Sequence, residues 1–357
     1  MIDTLPSVEL ADPFIVSQVK KEMSLCAGLS ALTEWHRERC SGYAAMLDAI
    51  YGRGQSLTAL DQVPYLPTRI FKHLELMSVP RQAVVRQLTS SGTTGQQVSR
   101  IFLDAETSAL QVRALAAIVQ SFLGKQRLPM LIVDQQECVR GKAAFGARAA
   151  GILGFSNFGH HHLYALDDSM QPRWDQIREF LERFHGTPVL LFGFTWVIWQ
   201  CFLQAAVRDG QKMDFGPQSI LVHGGGWKRL ADQSVDNPTF KQRLAEQFGI
   251  RRVSNYYGMV EQVGSIFMEC EEGYFHIPAF ADVLMRDIHS LEPVDSGAVE
   301  VLSLLPRSYP GHAILTEDLG TVLGRDDCPC GRKGKYIRIH GRIPKAEMRG
   351  CSDVRAI

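Results

Sequence analysis

The sequence predicts an α/β protein with a largely parallel central sheet, a helical N-terminal segment and a smaller β-rich C-terminal lobe. Three observations predict it. From about residue 100, short apolar runs alternate with stretches whose apolar residues recur at helical spacing, the pattern of a sheet covered by helices. The first part, to about Gly54, carries helical spacing alone. After Gly273 the texture changes to short strands separated by turns.

The elements follow in order. Phe14 to Leu25 and Leu29 to Ile50 read as helices, and Val63 to Phe71 as an extended segment punctuated by proline. Ala83 to Leu88 and Ile101-Phe102 read as two strands flanking a tight turn. Asp104 can cap a long helix that runs to Phe122. Met130 to Val133 is a short buried strand, and Trp174 to Phe184 a helix with Ile177, Phe180, Leu181 and Phe184 on one face. Val189 to Phe194 is a strand, Trp196 to Val207 a helix, and Ser219 to Val222 a strand that ends near Gly224-Gly225-Gly226. Phe240 to Phe248 reads as a helix and Val253 to Tyr256 as a strand. Beyond them lie strands at Ala298 to Leu305, Ala313 to Leu315 and Lys335 to Ile339. The expected division is a core over 1–272 and a β-rich lobe with a C-terminal tail over 273–357.

Composition narrows the function classes. The chain has 357 residues, 45% hydrophobic and 21% charged, so it can bury a sizeable core. Lys+Arg and Asp+Glu are both 38. That balance argues against a nucleic-acid track or an anionic membrane as the main partner. No apolar run reaches membrane-spanning length, the first ten residues lack a signal-peptide layout, and eight cysteines suit a reducing cytoplasm.

Four strings carry chemistry. Ser90-Ser91-Gly92-Thr93-Thr94-Gly95 lies between the two strands. Such a turn bares backbone N–H groups and hydroxyls to a polyphosphate, although the same residues also build ordinary loops. It lacks the spacing and the Lys of a Walker loop. Tyr256-Tyr257-Gly258-Met259-Val260-Glu261 offers an aromatic ring for a base and a carboxylate for Mg²⁺; taken alone, a core aromatic and a helix-start acid fit it better. Thr316-Glu317-Asp318-Leu319-Gly320 offers a turn carboxylate for two ribose hydroxyls, or simply an exposed turn. Gly341-Arg342 is the fourth. In open α/β sheets ligands bind at the carboxyl ends of the strands. The phosphate-loop string, His223 to Gly226 and Tyr257 to Glu261 all fall there.

In this order and spacing the four strings resemble the adenylate-forming superfamily of acyl-CoA synthetases, luciferases and nonribosomal adenylation domains. The resemblance implies ATP and Mg²⁺ as cofactors. It makes Ser90, Ser91, Gly92, Thr93, Thr94 and Gly95 the phosphate loop, with Gly224, Gly225 and Gly258 also at the nucleotide. Tyr257 becomes the residue that stacks on adenine, Glu261 the Mg²⁺ ligand, Asp318 the ribose acid and Arg342 the hinge. Val260 stands where a Thr is usual, and Gln96 to Val98 where the loop usually has its Lys; Arg100 is the nearest cation. The superfamily's small C-terminal domain, with its catalytic Lys, is expected to be absent; Lys228, Arg342 and Lys345 are the cations that could stand in.

A chain of this length is similar to the acyl-protein synthetases of the bacterial luminescence fatty-acid reductase complex. Val63-Pro64-Tyr65-Leu66-Pro67 followed by Ile70-Phe71-Lys72 is similar to that family's extended segment. The resemblance implies activation of a fatty acid and its transfer to a cysteine near the C-terminus. Delivery to a protein partner of the acyl-CoA-reductase type would follow. Cys351, in Arg349-Gly350-Cys351-Ser352, is the thiol at that position, with Arg349 and Arg355 able to lower its pKa. Rival readings are an adenylating ligase that serves CoA, a carrier protein or an amine, and a non-catalytic nucleotide-binding scaffold.

Cys270, His276, Cys328 and Cys330 form two closely spaced pairs that suit a structural tetrahedral Zn²⁺. Similar Cys/His sets occur in the phenylacetate-CoA-ligase branch of the superfamily. Cys26, Cys40, Cys138 and Cys201 read as apolar fillers. His160-His161-His162 reads as a loop near the acyl pocket, and His223 lies nearer the nucleotide. Phe192, Phe194, Trp196 and Trp199 read as ordinary core.

Overall fold

A computed structural model describes residues 11–52, 57–90, 98–140, 147–227 and 234–343. The chain begins with α1 (Gln18–Arg39) and α2 (Ser41–Ile50), broken at the extended residue Cys40. Strand β1 (Leu66–Pro67) follows. The segment expected to stay extended to Phe71 instead turns into a short helix at Ile70–His73. Strands β2 (Val84–Thr89) and β3 (Arg100–Asp104) form an antiparallel hairpin outside the main sheet.

The parallel half of the sheet is laid down next. Helix α3 (Ala105–Leu123) is capped by Asp104, whose carboxylate accepts the Thr107 N–H at 2.8 Å. Then come β4 (Leu128–Gln135), α4 (Ala147–Ser156), β5 (Gly159–Leu166), α5 (Trp174–Arg183) and β6 (Leu190–Phe194). A helical stretch over 195–208, with a π-helical middle, leads to β7 (Ile220–Gly224), α6 (Asn237–Phe248) and β8 (Arg252–Tyr257). The histidine run, expected as a loop, lies on β5, the outer strand of this half. An edge strand tolerates polar side chains because it packs against one neighbour only.

The remaining strands are β9 (Phe267–Glu269), β10 (Phe275–His276), β11 (Ala281–Arg286), β12 (Pro293–Val294), β13 (Ser296–Ser303), β14 (Ala313–Arg325) and β15 (Lys335–Arg342). The sheet order is β12-β11-β13-β14-β15-β10-β9-β8-β7-β6-β4-β5, with β1 parallel on β14. Strand direction reverses between β8 and β9, close to the expected change of texture, and the sheet continues through it. Apolar residues of β4, β6 and β7 alternate between two cores. Met130, Ile132, Leu190 and Phe192 join the large one, while Leu131, Val133, Leu191 and Leu221 face α5 and α6.

Helix α1 is held on the β-rich half by buried charge. Lys21 lies 3.5 Å from the Asp282 carboxylate, and Lys335 lies 3.0 Å from its other oxygen. The Gln18 amide donates to Asp282 at 2.7 Å. Removing one member of such a buried set would strand the others' charge in the core. Among the described residues, no helix is long and apolar enough to cross a membrane.

Candidate functional site

Strand β8 carries Tyr257 to the carboxyl end of the parallel half, and the 3₁₀ turn Val260–Gln262 after it presents Glu261. Strands β14 and β15 bring Asp318 and Arg342 opposite one another in register. The turn expected at Asp318 is a continuous strand with a bulge just beyond it, between Leu319 and Gly320.

These elements converge. The Tyr257 hydroxyl donates to Asp318 Oδ2 at 2.7 Å, and its ring lies near-parallel to Phe267 with centroids 6.0 Å apart. Burial pushes the Asp318 carboxyl above the usual carboxylate range, with Tyr257 and Arg342 pulling it down. Burial, and then the Asp318 charge, also raises the Tyr257 hydroxyl. Arg342 Nε stands 3.9 Å from Asp318 Oδ1 and Nη1 stands 4.0 Å from Glu317. Its side chain is 79% exposed, so these pairs hold it loosely.

Glu261 is 4% exposed. Burial raises its carboxyl, with Ser99, Lys72 and Arg342 opposing that rise. Its backbone carbonyl accepts the Tyr309 hydroxyl at 2.8 Å. Gly264 anchors the same segment to α3. Its φ is +88°, and a Cβ there would sit 2.7 Å from the Gln111 carbonyl oxygen.

Of the loop expected to bind phosphate, Ser90 is described, and Ser91, Gly92, Thr93, Thr94 and Gly95 lie outside the described residues. At the base of the loop, Ser90 N donates to Ser99 O at 3.1 Å, and Ser99 N donates to Ser90 Oγ at 2.9 Å. The strands therefore enter and leave the loop beside the Glu261 carboxylate. Lys72, Ser99 and Tyr309 were not singled out from sequence as site residues. Only Lys72 stood in a quoted motif; the other two become neighbours of Glu261 through folding alone.

Gly224 ends β7 beside the end of its parallel neighbour β8, and Gly225 follows it. A Cβ on Gly224 would lie 2.3 Å from the Tyr256 ring, so close packing requires glycine there. The Thr195 hydroxyl serves the Gly225 carbonyl at 2.8 Å and faces His223 Nδ1 at 2.9 Å. Burial depresses the His223 pKa to about 3, so this imidazole is neutral near pH 7. Gly258 packs against Ile266. Cys351, Lys228 and Lys345 lie outside the described residues.

A second cluster joins β9–β10 to the β14–β15 loop. The ligand atoms of Cys270, His276, Cys328 and Cys330 lie within 4.8 Å of one another. Cys270 Sγ and Cys328 Sγ are 4.0 Å apart, and Cys330 Sγ is 3.2 Å from His276 Nε2. Two tight turns set the thiols: Gly273 N donates to Cys270 O at 3.0 Å, and Gly331 N to Cys328 O at 2.9 Å. Burial raises the Cys270 thiol, pushes Cys328 up to about 12 and lowers His276 to about 4. Three thiols and an imidazole converging away from water form a donor set that could bind a metal.

The arrangement can be compared with known folds. The 2-hydroxyisobutyryl-CoA ligase, in an open conformation with its acyl-adenylate and CoA, superposes with a TM-score of 0.71 at 16% identity, covering 96% of this chain and 75% of that one. The same ligase in its postadenylation state also gives 0.71. The fold is that of adenylate-forming ligases.

Within that class, residues 5–356 match the family described as acyl-protein synthetase, LuxE, and the chain belongs to it. It is 24% identical to the long-chain-fatty-acid–luciferin-component ligase of Vibrio harveyi, over 89% of this chain and 84% of that protein. To the same-named ligase of Aliivibrio fischeri it is 22% identical, over 83% and 79%. Family and fold together support acyl activation by a ligase.

Proposed function

We propose that this chain activates a long-chain fatty acid with ATP, transfers the acyl group to Cys351 and hands it to a reductase partner in the cytoplasm. The observation that carries the reading is the convergence of Glu261, Tyr257, Asp318 and Arg342 beside the base of the Ser90–Gly95 loop. The fatty acid and the luciferin component are named for the Vibrio and Aliivibrio relatives.

A carboxylate oxygen of the acid attacks the α-phosphorus of ATP, and the bond to the β-phosphate's bridging oxygen breaks. Acyl-AMP forms and pyrophosphate leaves. The Cys351 thiolate then attacks the acyl carbon, AMP departs with the electron pair of the C–O bond, and the thiol's proton goes to solvent. The loop hydroxyls bind phosphate. Tyr257 supplies a ring for adenine, and Asp318, with Oδ1 free of the tyrosine, accepts from ribose. Mg²⁺ would neutralise phosphate charge when bound, and Glu261 is the acid that would hold it. Lys72 joins Arg342 as a described cation able to face the phosphates. Pyrophosphate exchange that depends on added fatty acid tests this reading, and its absence with every acid would remove it.

The Thr93 and Thr94 hydroxyls carry part of the first step. Replacing both by Val keeps their shape and leaves charged oxygens unpaired, at about 1–3 kcal/mol for each. Pyrophosphate exchange is expected to fall accordingly. Full exchange in the double variant would take the loop out of the site.

Zinc is the metal proposed for Cys270, His276, Cys328 and Cys330, where it would tie β10 to the β14–β15 loop. Purified chain is expected to hold about one zinc. Chelation, or Cys328→Ser, is expected to lower the melting temperature. A zinc-free chain that melts at the same temperature as the loaded one would dismiss the metal.

A further inference from the structure

Among the described residues, one sizeable cavity lies away from the four convergent residues. It measures about 590 Å³, within the range of small-molecule pockets. It runs between α3 and α4, with Leu128 of β4 and Leu190 of β6 at its floor and Leu115 and Phe158 on its walls. Its lining is mainly apolar. Along α3 it extends from Gln111 to Leu123, ~18 Å of helix. That shape suits a long unbranched chain and not a ring or a short acid.

Its two ends differ. At the inner end stand Val263, two residues beyond Glu261, and Gln111. Gln111 is 2% exposed, and neither its amide oxygen nor its nitrogen makes a hydrogen bond of normal geometry. Tyr309 is its polar neighbour, and the Tyr309 hydroxyl reaches the Glu261 carbonyl. A buried amide with Tyr309 alone beside it and no bond of normal geometry is costly unless something polar arrives to meet it. At the other end, just beyond the last turn of α3, Lys125 lines the cavity.

We infer that this cavity holds the aliphatic tail of the carboxylic acid, with its polar head at Gln111 beside the Glu261 segment and the chain directed along α3 towards Lys125. The inference rests on the acid-activating function and adds the place of the tail. An amphiphile fits the lining in this orientation: one polar group meets the buried Gln111 amide, and the methylenes meet the leucines. Leu115 sets the bore. It already stands 3.3 Å from where a Cβ on Gly154 would lie, so the passage between the helices is narrow there.

The test plugs the bore from either helix, with Ala150→Trp on α4 and Leu115→Trp on α3. Laurate and butyrate are the probes. Laurate binding is measured calorimetrically without nucleotide, and the preference for laurate over butyrate by pyrophosphate exchange. Both variants are expected to weaken laurate binding at least ~10-fold and to shift the preference towards butyrate by a similar factor, since each displaced methylene loses its apolar surroundings. Agreement between the two variants guards against misfolding of one. Unchanged laurate affinity in two folded variants would overturn the assignment. So would laurate affinity that falls on Lys125→Glu instead, because the head would then sit at the far end of α3. Wild-type chain that binds laurate, loses it when plugged and yet shows no exchange with any acid would keep the cavity and remove the acid-activating function.

Discussion

Glu261→Gln is expected to lower acid-dependent pyrophosphate exchange by ~10²-fold or more, the scale on which removal of a positioned electrostatic group acts, while the melting temperature holds or rises. The two readouts separate because burial and charge work against each other at this position. The carboxylate is 4% exposed, and burial raises its pKa despite Ser99, Lys72 and Arg342. Holding that charge in the fold therefore costs stability. The amide has the same shape and no charge to desolvate, so the fold does not suffer. What it lacks is the affinity of a carboxylate for a hard cation. Unaltered exchange and unaltered Mg²⁺ dependence would dismiss Glu261 from the site. A large fall in melting temperature would assign it a structural duty instead.

The parts of the fold legible in the sequence are those where periodicity and chemistry agree. The Asp104 cap, the apolar runs of β4, β6 and β7 and the amphipathic α5 are all local signals, and each element lies within a residue or two of its expected place. Other elements depend on neighbours. Strand β5 contains three successive histidines, which no alternation rule marks as a strand; pairing with β4 makes it one. Helix α4 holds Gly151 and Gly154, poor helix formers. A Cβ on either would come within 3.3 Å of a side chain, of Phe194 or Leu115. Asp318 reads as a turn because Glu-Asp-Leu-Gly is turn material, yet pairing with β13 and β15 extends it.

The candidate site divides in the same way. Tyr257, Glu261, Asp318 and Arg342 stand in strings whose order carried the resemblance, and the fold gathers them. Ser99, Tyr309 and Gln111 had no string. Each serves through a contact with a segment far away in sequence: Ser99 with Ser90 and the Glu261 side chain, Tyr309 with the Glu261 carbonyl, and Gln111 with the backbone at Gly264. The Cys/His set was legible because each pair is close in sequence, and pairing of β10 with β15 closes the gap between the pairs.

Cys351→Ser is expected to abolish the acyl-enzyme while leaving acyl-AMP formation intact. In the proposed function the first step draws on the Ser90–Gly95 loop, Tyr257, Glu261 and Asp318, none of which the substitution touches. The second step needs a nucleophile for the mixed anhydride. A thiol is partly ionised near pH 7, the more so with Arg349 and Arg355 close in sequence, whereas a serine hydroxyl stays protonated. A thioester also keeps the acyl group activated for a further acceptor; an oxygen ester would strand it, because alkoxide is a poor leaving group. Intact mass after incubation with ATP, Mg²⁺ and a fatty acid reads the difference directly. The wild-type chain gains one acyl group that hydroxylamine removes, and the variant gains none while still releasing pyrophosphate. Acylation of the variant at the wild-type rate would move the acceptor away from Cys351. A wild-type chain that sends its acyl group to CoA with no covalent stage would replace the protein-acylating reading with that of an acid–CoA ligase. A chain that neither exchanges pyrophosphate nor gains mass would be a nucleotide-binding scaffold on a ligase fold.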